Sequence, residues 1–68
     1  MSSWVFETYD DGYNYIEYRW DKGNTYAIIV GHKVDGLIIL DYHNTYATRD
    51  KAKRTFKRQV AKLKKEAQ

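Results

Sequence analysis

Three features of this 68-residue chain predict a small α+β domain, a four-stranded antiparallel β-meander followed by one long C-terminal amphipathic helix packed on one sheet face. Apolar residues recur at helical spacing only in the last third of the chain. The first two thirds hold short runs rich in Tyr and Ile, and tight turn clusters separate those runs, leaving no room for the long crossover that parallel strands need. The helix is placed at 48–67 and the sheet at 4–43, within a single domain 1–68.

The helix rests on periodicity. Ala52, Phe56, Val60, Leu63 and Ala67 step by four, four, three and four, so at helical pitch they share one narrow stripe, the inner face. Thr48 offers a side-chain oxygen to the free amides of the first turn. Asp50 complements the positive end of the dipole, and Lys62, Lys64 and Lys65 lie near its negative end. On the other side Lys51, Arg54, Arg58, Lys62 and Lys65 build a second stripe, of positive charge, over roughly 21 Å of helix. Lys53, Lys57 and Lys64 flank the inner stripe, where their stems can cover the edge of the core.

The strands follow from the turns. Residues 4–9 form the first, ended by Asp10-Asp11-Gly12; residues 13–20 the second, ended by Asp21-Lys22-Gly23-Asn24; residues 25–33 the third. Asp35-Gly36 is a favoured two-residue hairpin loop leading into the fourth, 37–43. The loop at Asp35-Gly36 pairs Val34 with Leu37, Gly31 with Leu40 and Ile29 with Tyr42. A turn centred on Lys22-Gly23 pairs Trp20 with Thr25, Tyr18 with Ala27 and Ile16 with Ile29. A three-residue first loop, with Gly12 left-handed, adds Trp4 and Phe6 to the same side. The helix is therefore expected on a face made of Trp4, Phe6, Ile16, Tyr18, Trp20, Ala27, Ile29, Gly31, Ile38, Leu40 and Tyr42.

The second face then carries Tyr26, Ile28, Val30, Leu37 and Ile39 as a contiguous apolar patch. Such a patch marks an interaction site, here a homodimer with the two sheets face to face. The bland reading is that Tyr and β-branched residues are simply good strand formers.

Composition bounds what the chain does. It has no Cys, so neither disulfides nor a thiolate zinc cluster can hold so small a core, and 16% aromatic residues must supply the packing. The N-terminal residues show neither a basic region nor an apolar run, and no segment reaches the length of a membrane span, which leaves a soluble, cytoplasmic protein as the expectation. The chain holds no cofactor motif and no Gly-rich loop opening the helix, and its only serines are Ser2 and Ser3, so no catalytic site is expected. His32, Asp41 and His43 share the second face, but with His32 opposite Ile39, His43 lies roughly 13 Å further along the sheet. Metal ligands converge to about 2 Å from one ion, so no metal site is expected within a protomer.

Charge is the stronger signal. The net +3 divides into nine Lys or Arg against Asp50 and Glu66 from residue 48 onward, and three against seven acids before it. With a pI near 9.2, the chain joins an acidic sheet to a basic helix. A helix shaped only for solubility mixes its signs and pairs Glu with Lys at four-residue spacing. This one carries nine basic residues to two acidic, so the expected partner is nucleic acid, gripped at its phosphates by Lys51, Arg54, Arg58, Lys62 and Lys65. The alternative is an acidic protein surface on which the basic helix docks. Membrane adsorption is disfavoured because the sheet consumes the apolar stripe.

The order of elements resembles that of three-stranded sheet-plus-helix modules that bind DNA, including plant AP2-type domains and the arm-binding domains of some phage integrases, with one strand more. The likeness is architectural and involves no residue motif. In those modules mainly the sheet reads bases, whereas here only Arg19 and Lys33 offer cations on the paired strands. Little sequence reading is expected.

Overall fold

Four strands and a helix follow one another as β1 (Trp4–Asp10), β2 (Asn14–Lys22), β3 (Thr25–Val34), β4 (Leu37–Tyr46) and α1 (Arg49–Glu66). The computed structural model describes residues 4–66; Met1, Ser2, Ser3, Gln68 and Ala67, the last place on the apolar stripe, lie outside the described residues. The sheet is antiparallel in the order β1-β2-β3-β4, the predicted meander, and α1 packs on it. Three bulges shape it. Phe6 in β1, Asp21 in β2 and Asp41 in β4 each stand as an extra residue without an opposite number.

The bulges decide which face meets the helix. Asp21 shifts the β2–β3 register by one, so that Ile16 faces Val30, Tyr18 faces Ile28 and Trp20 faces Tyr26. A one-residue slip moves every side chain of a strand to the other face. The expected helix face is therefore corrected: Tyr26, Ile28 and Val30 lie beneath α1, while Ala27, Ile29 and Gly31 turn to the opposite side. In β4 the Asp35-Gly36 loop sets Leu37 to Leu40 in the predicted register, but the Asp41 bulge advances the rest by one, pairing Ile29 with His43 instead of Tyr42. Ile38 and Leu40 lie on the side away from the helix. Residues 26–30 are apolar on both faces, so alternation alone could not choose between them.

The core is one cluster. Ile16, Tyr18 and Ile28 from the sheet pack with Ala52 and Phe56 from the helix, and Tyr9, Tyr26, Val30, Tyr46, Val60 and Leu63 close its edges. Aromatic rings join the layers: Phe6 and Tyr18 have centroids 4.9 Å apart, and Tyr18 and Phe56 5.9 Å. The bulge at Phe6 brings that ring to the helix side as expected, whereas Trp4, opposite Trp20, stays 68% exposed. On the far face Ala27 and Ile29 are buried, although no second layer of described residues packs over them. Arg19 and Glu17 stand opposite them on β2, Thr45 and His43 on β4, and an Arg19–Glu17 ion pair of 3.0 Å ties the β2 pair together. Gly31 admits a close crossing, since a Cβ there would lie 2.5 Å from the Ile39 carbonyl oxygen of β4.

Gly12, with φ of 95°, occupies the predicted left-handed position, but the first loop is longer than expected: Asp10 pairs with Tyr15. Asp11 organises it. One carboxylate oxygen accepts the backbone N–H groups of Asn14 (2.7 Å) and Tyr13 (3.0 Å), and the other accepts the Asn14 amide (3.2 Å) and the Tyr9 hydroxyl (3.1 Å). These bonds, led by the Asn14 and Tyr13 amides, hold the Asp11 carboxyl down at about 2. A depressed pKa stabilises the fold above the ordinary value of 3.8 and ceases to do so as pH falls through about 2. Urea midpoints of wild type and Asp11→Asn should therefore differ fully near neutral pH and converge in acid. A gap that is unchanged at pH 2 would contradict this role.

Candidate functional site

The helix begins where its capping chemistry says it should. Thr48 Oγ1 accepts the Lys51 N–H at 3.3 Å, which satisfies one orphan amide of the first turn, and Thr48 O accepts the Ala52 N–H at 3.3 Å, which opens the helical ladder. Asp50 lies in the first turn, Lys64 and Lys65 in the last. Ala52, Thr55 and Phe56 are buried and Val60 and Leu63 half-buried, which gives the apolar stripe the orientation its spacing implies. Thr55 was not read as an inner residue. Its hydroxyl donates to the Lys51 carbonyl at 2.9 Å, four residues back, and that local bond lets a Thr sit against the core.

With the inner face fixed by packing, the outer face follows from geometry. Lys51, Arg54, Arg58, Lys62 and Lys65 are all exposed. Ion pairs among the described residues join Arg19 with Glu17 and Lys33 with Asp10, His32 sits against Asp41, and none of these contacts involves the helix. Asp50 and Arg54, and Lys62 and Glu66, have the four-residue spacing for an ion pair and do not make one. Lys51, Arg54 and Arg58 converge with Thr55 on an open groove of about 370 Å³. Its lining is three cations and Thr55, whose hydroxyl hydrogen is already given to the Lys51 carbonyl, so positive charge dominates the groove. Lys62 and Lys65 continue the line on the last turns. Lys53, Lys57 and Lys64 are exposed beside it.

A further cation, Arg49, is placed by the fold rather than by the stripe. Its guanidinium carbon sits 5.0 Å from the centroid of the Phe6 ring, an arrangement that ties the start of α1 to β1. The Phe6 bulge creates that contact, and helix periodicity gives no hint of it.

The apolar patch expected on the second face is divided. Ile28 is 1% exposed and belongs to the core, and Tyr26 and Val30 pack against the same cluster. Leu37 and Ile39 remain open, at 67% and 45%. The cause is the Asp21 bulge, which put β3 the other way up. The expectation of an open patch containing Ile28, Val30 and Tyr26 is thus corrected, and exposed aliphatic surface is found instead along β4.

The histidines are separated as well. His32 lies on the helix side, where the Asp41 bulge brings both carboxylate oxygens to 3.1 Å from its Nδ1, while His43 is opposite Ile29 on the far face. Among the described residues no group of three or more His, Cys, Asp or Glu could hold a metal ion. Among the described residues no helix is long and apolar enough to cross a membrane. Comparison with known proteins found no match to any family model, curated protein or solved structure.

Proposed function

We propose that the chain is a small cytoplasmic, non-catalytic binding module that grips the phosphate backbone of nucleic acid with the outer face of α1. The observation carrying this reading is the run of exposed cations, Lys51, Arg54, Arg58, Lys62 and Lys65, on a helix whose carboxylates neutralise none of them. A rigid row of cations meets several backbone phosphates without choosing among bases, because phosphates carry charge but no sequence information. The groove between Lys51, Arg54 and Arg58 is the natural seat for one phosphate.

A salt titration tests the reading. Five neutralised phosphates correspond to a slope of log affinity against log salt of roughly −4 to −5 for duplex nucleic acid, with little dependence on base sequence. Arg54→Glu with Arg58→Glu removes binding and leaves the far-UV spectrum unchanged, because both residues are exposed. Replacing either alone with Ala flattens the slope by about one unit. A chain showing no affinity for DNA or RNA at about 50 mM salt, where such contacts are strong, excludes this reading. In that event an acidic protein surface becomes the partner to seek for the same helix face.

A further inference from the structure

Both outer strands of the sheet have a free edge, and the two edges differ in kind. β1 is interrupted by the Phe6 bulge and carries Glu7 and Asp10, devices that discourage another strand from pairing with it. The first half of β4 has none. Leu37, Ile38, Ile39 and Leu40 are 67%, 43%, 45% and 61% exposed, with no charge, proline or bulge until Asp41. Being consecutive, they point alternately to the two faces of the sheet. A partner resting on either face would cover only every second one. A strand laid against the edge covers all four.

The hairpin fixes which backbone groups are available to such a strand. Asp35 and Gly36 have φ of 53° and 81°, the positive values of the two-residue loop that closes on a hydrogen-bonded Val34–Leu37 pair. Hydrogen-bonded and non-hydrogen-bonded positions alternate from there, so Ile38 and Leu40, opposite Lys33 and Gly31, direct N–H and C=O outward.

We infer that two copies of this chain associate through β4, antiparallel about a two-fold axis at Ile39, to form one continuous eight-stranded sheet. In that register Ile38 exchanges backbone hydrogen bonds with the partner's Leu40, Leu40 with the partner's Ile38, and Ile39 lies against the partner's Ile39. Every central side-chain pair is aliphatic, which is why a second copy is the occupant. Leu37 to Leu40 offer on the order of 400 Å² of apolar surface per copy along this edge. Two copies together offer about 800 Å², the size of a weak association that depends on concentration. The inference is independent of any nucleic-acid binding by α1.

Sedimentation equilibrium on the full chain tests it, with wild type at tens to hundreds of micromolar expected at twice the chain mass. Ile39→Lys sets two ammonium groups against each other at the axis and is expected at the chain mass, with its circular dichroism retained. The chain has no native Cys, so with Ile39→Cys any disulfide between protein thiols joins two copies, the second thiol displacing glutathione from a mixed disulfide on the first. Oxidised glutathione should convert it to a covalent dimer much faster than Thr8→Cys on the β1 edge. A wild type that remains monomeric at 500 µM overturns the proposal. So does a dimer indifferent to Ile39→Lys, and so does equal cross-linking of the two thiols, which decides the matter even if the Lys variant fails to fold.

Discussion

Truncation of Phe56 to Ala should lower the free energy of unfolding by about 3 to 5 kcal/mol, the range for a buried aromatic side chain. The ring is 3% exposed and lies between the helix and Tyr18, whose centroid is 5.9 Å away. Nothing can replace it: Ala52, one turn back, is too small, and Val60, one turn on, sits at the edge of the cluster. A domain of this size holds together by only a few kcal/mol. The variant should therefore be largely unfolded at room temperature, with a lost or strongly lowered denaturant midpoint. A midpoint equal to that of wild type would mean that α1 does not pack by its Ala52–Phe56 face, and the outward direction of Lys51, Arg54 and Arg58 would go with it.

Ile28→Ala should cost about 2 to 5 kcal/mol, whereas Ile39→Ala, compared at a concentration low enough to keep the chain monomeric, should cost well under 1 kcal/mol. The side chains are chemically identical, and burial separates them, at 1% and 45% exposure. Ile28 faces Tyr18 beneath the helix because Asp21 is bulged. Without that bulge it would turn outward, so the pair of midpoints reads the register of β2 on β3 directly. Equal, small losses at both positions would restore the unbulged register.

Much of this architecture is written locally. Residues 48–67 declare a helix through apolar spacing and the Thr48 cap, and Asp35-Gly36 declares a hairpin because both of its residues take positive φ. The outward direction of Lys51, Arg54, Arg58, Lys62 and Lys65 followed from the same spacing, since the stripe holding Ala52 and Phe56 had to face inward. The bulges were not legible. Each depends on how a whole strand settles on its neighbour, and Phe6, Asp21 and Asp41 carry no local mark of being extra. Face assignment failed where the pattern itself was silent, at 26–30, apolar on both sides. That single ambiguity moved Ile28, Val30 and Tyr26 from a supposed patch into the core and left the exposed aliphatic run on β4 to be found from the structure.

The nearest-neighbour order of the strands has a consequence for how the chain reaches this state. Each strand pairs with the one before it in sequence, so every closure within the sheet spans one short turn, the condition under which hairpins form fast. The cluster of Ile16, Tyr18 and Ile28 nevertheless stays uncovered until Ala52 and Phe56 arrive from the far end of the chain. A sheet with neither apolar face covered has little to hold it, so the strands and helix are expected to become stable together. On a ribosome the four strands leave the exit tunnel ahead of α1, so their shared cluster waits uncovered until residues 49–66 have emerged. The unpaired edge of β4 is at its most vulnerable to the wrong partner during that wait.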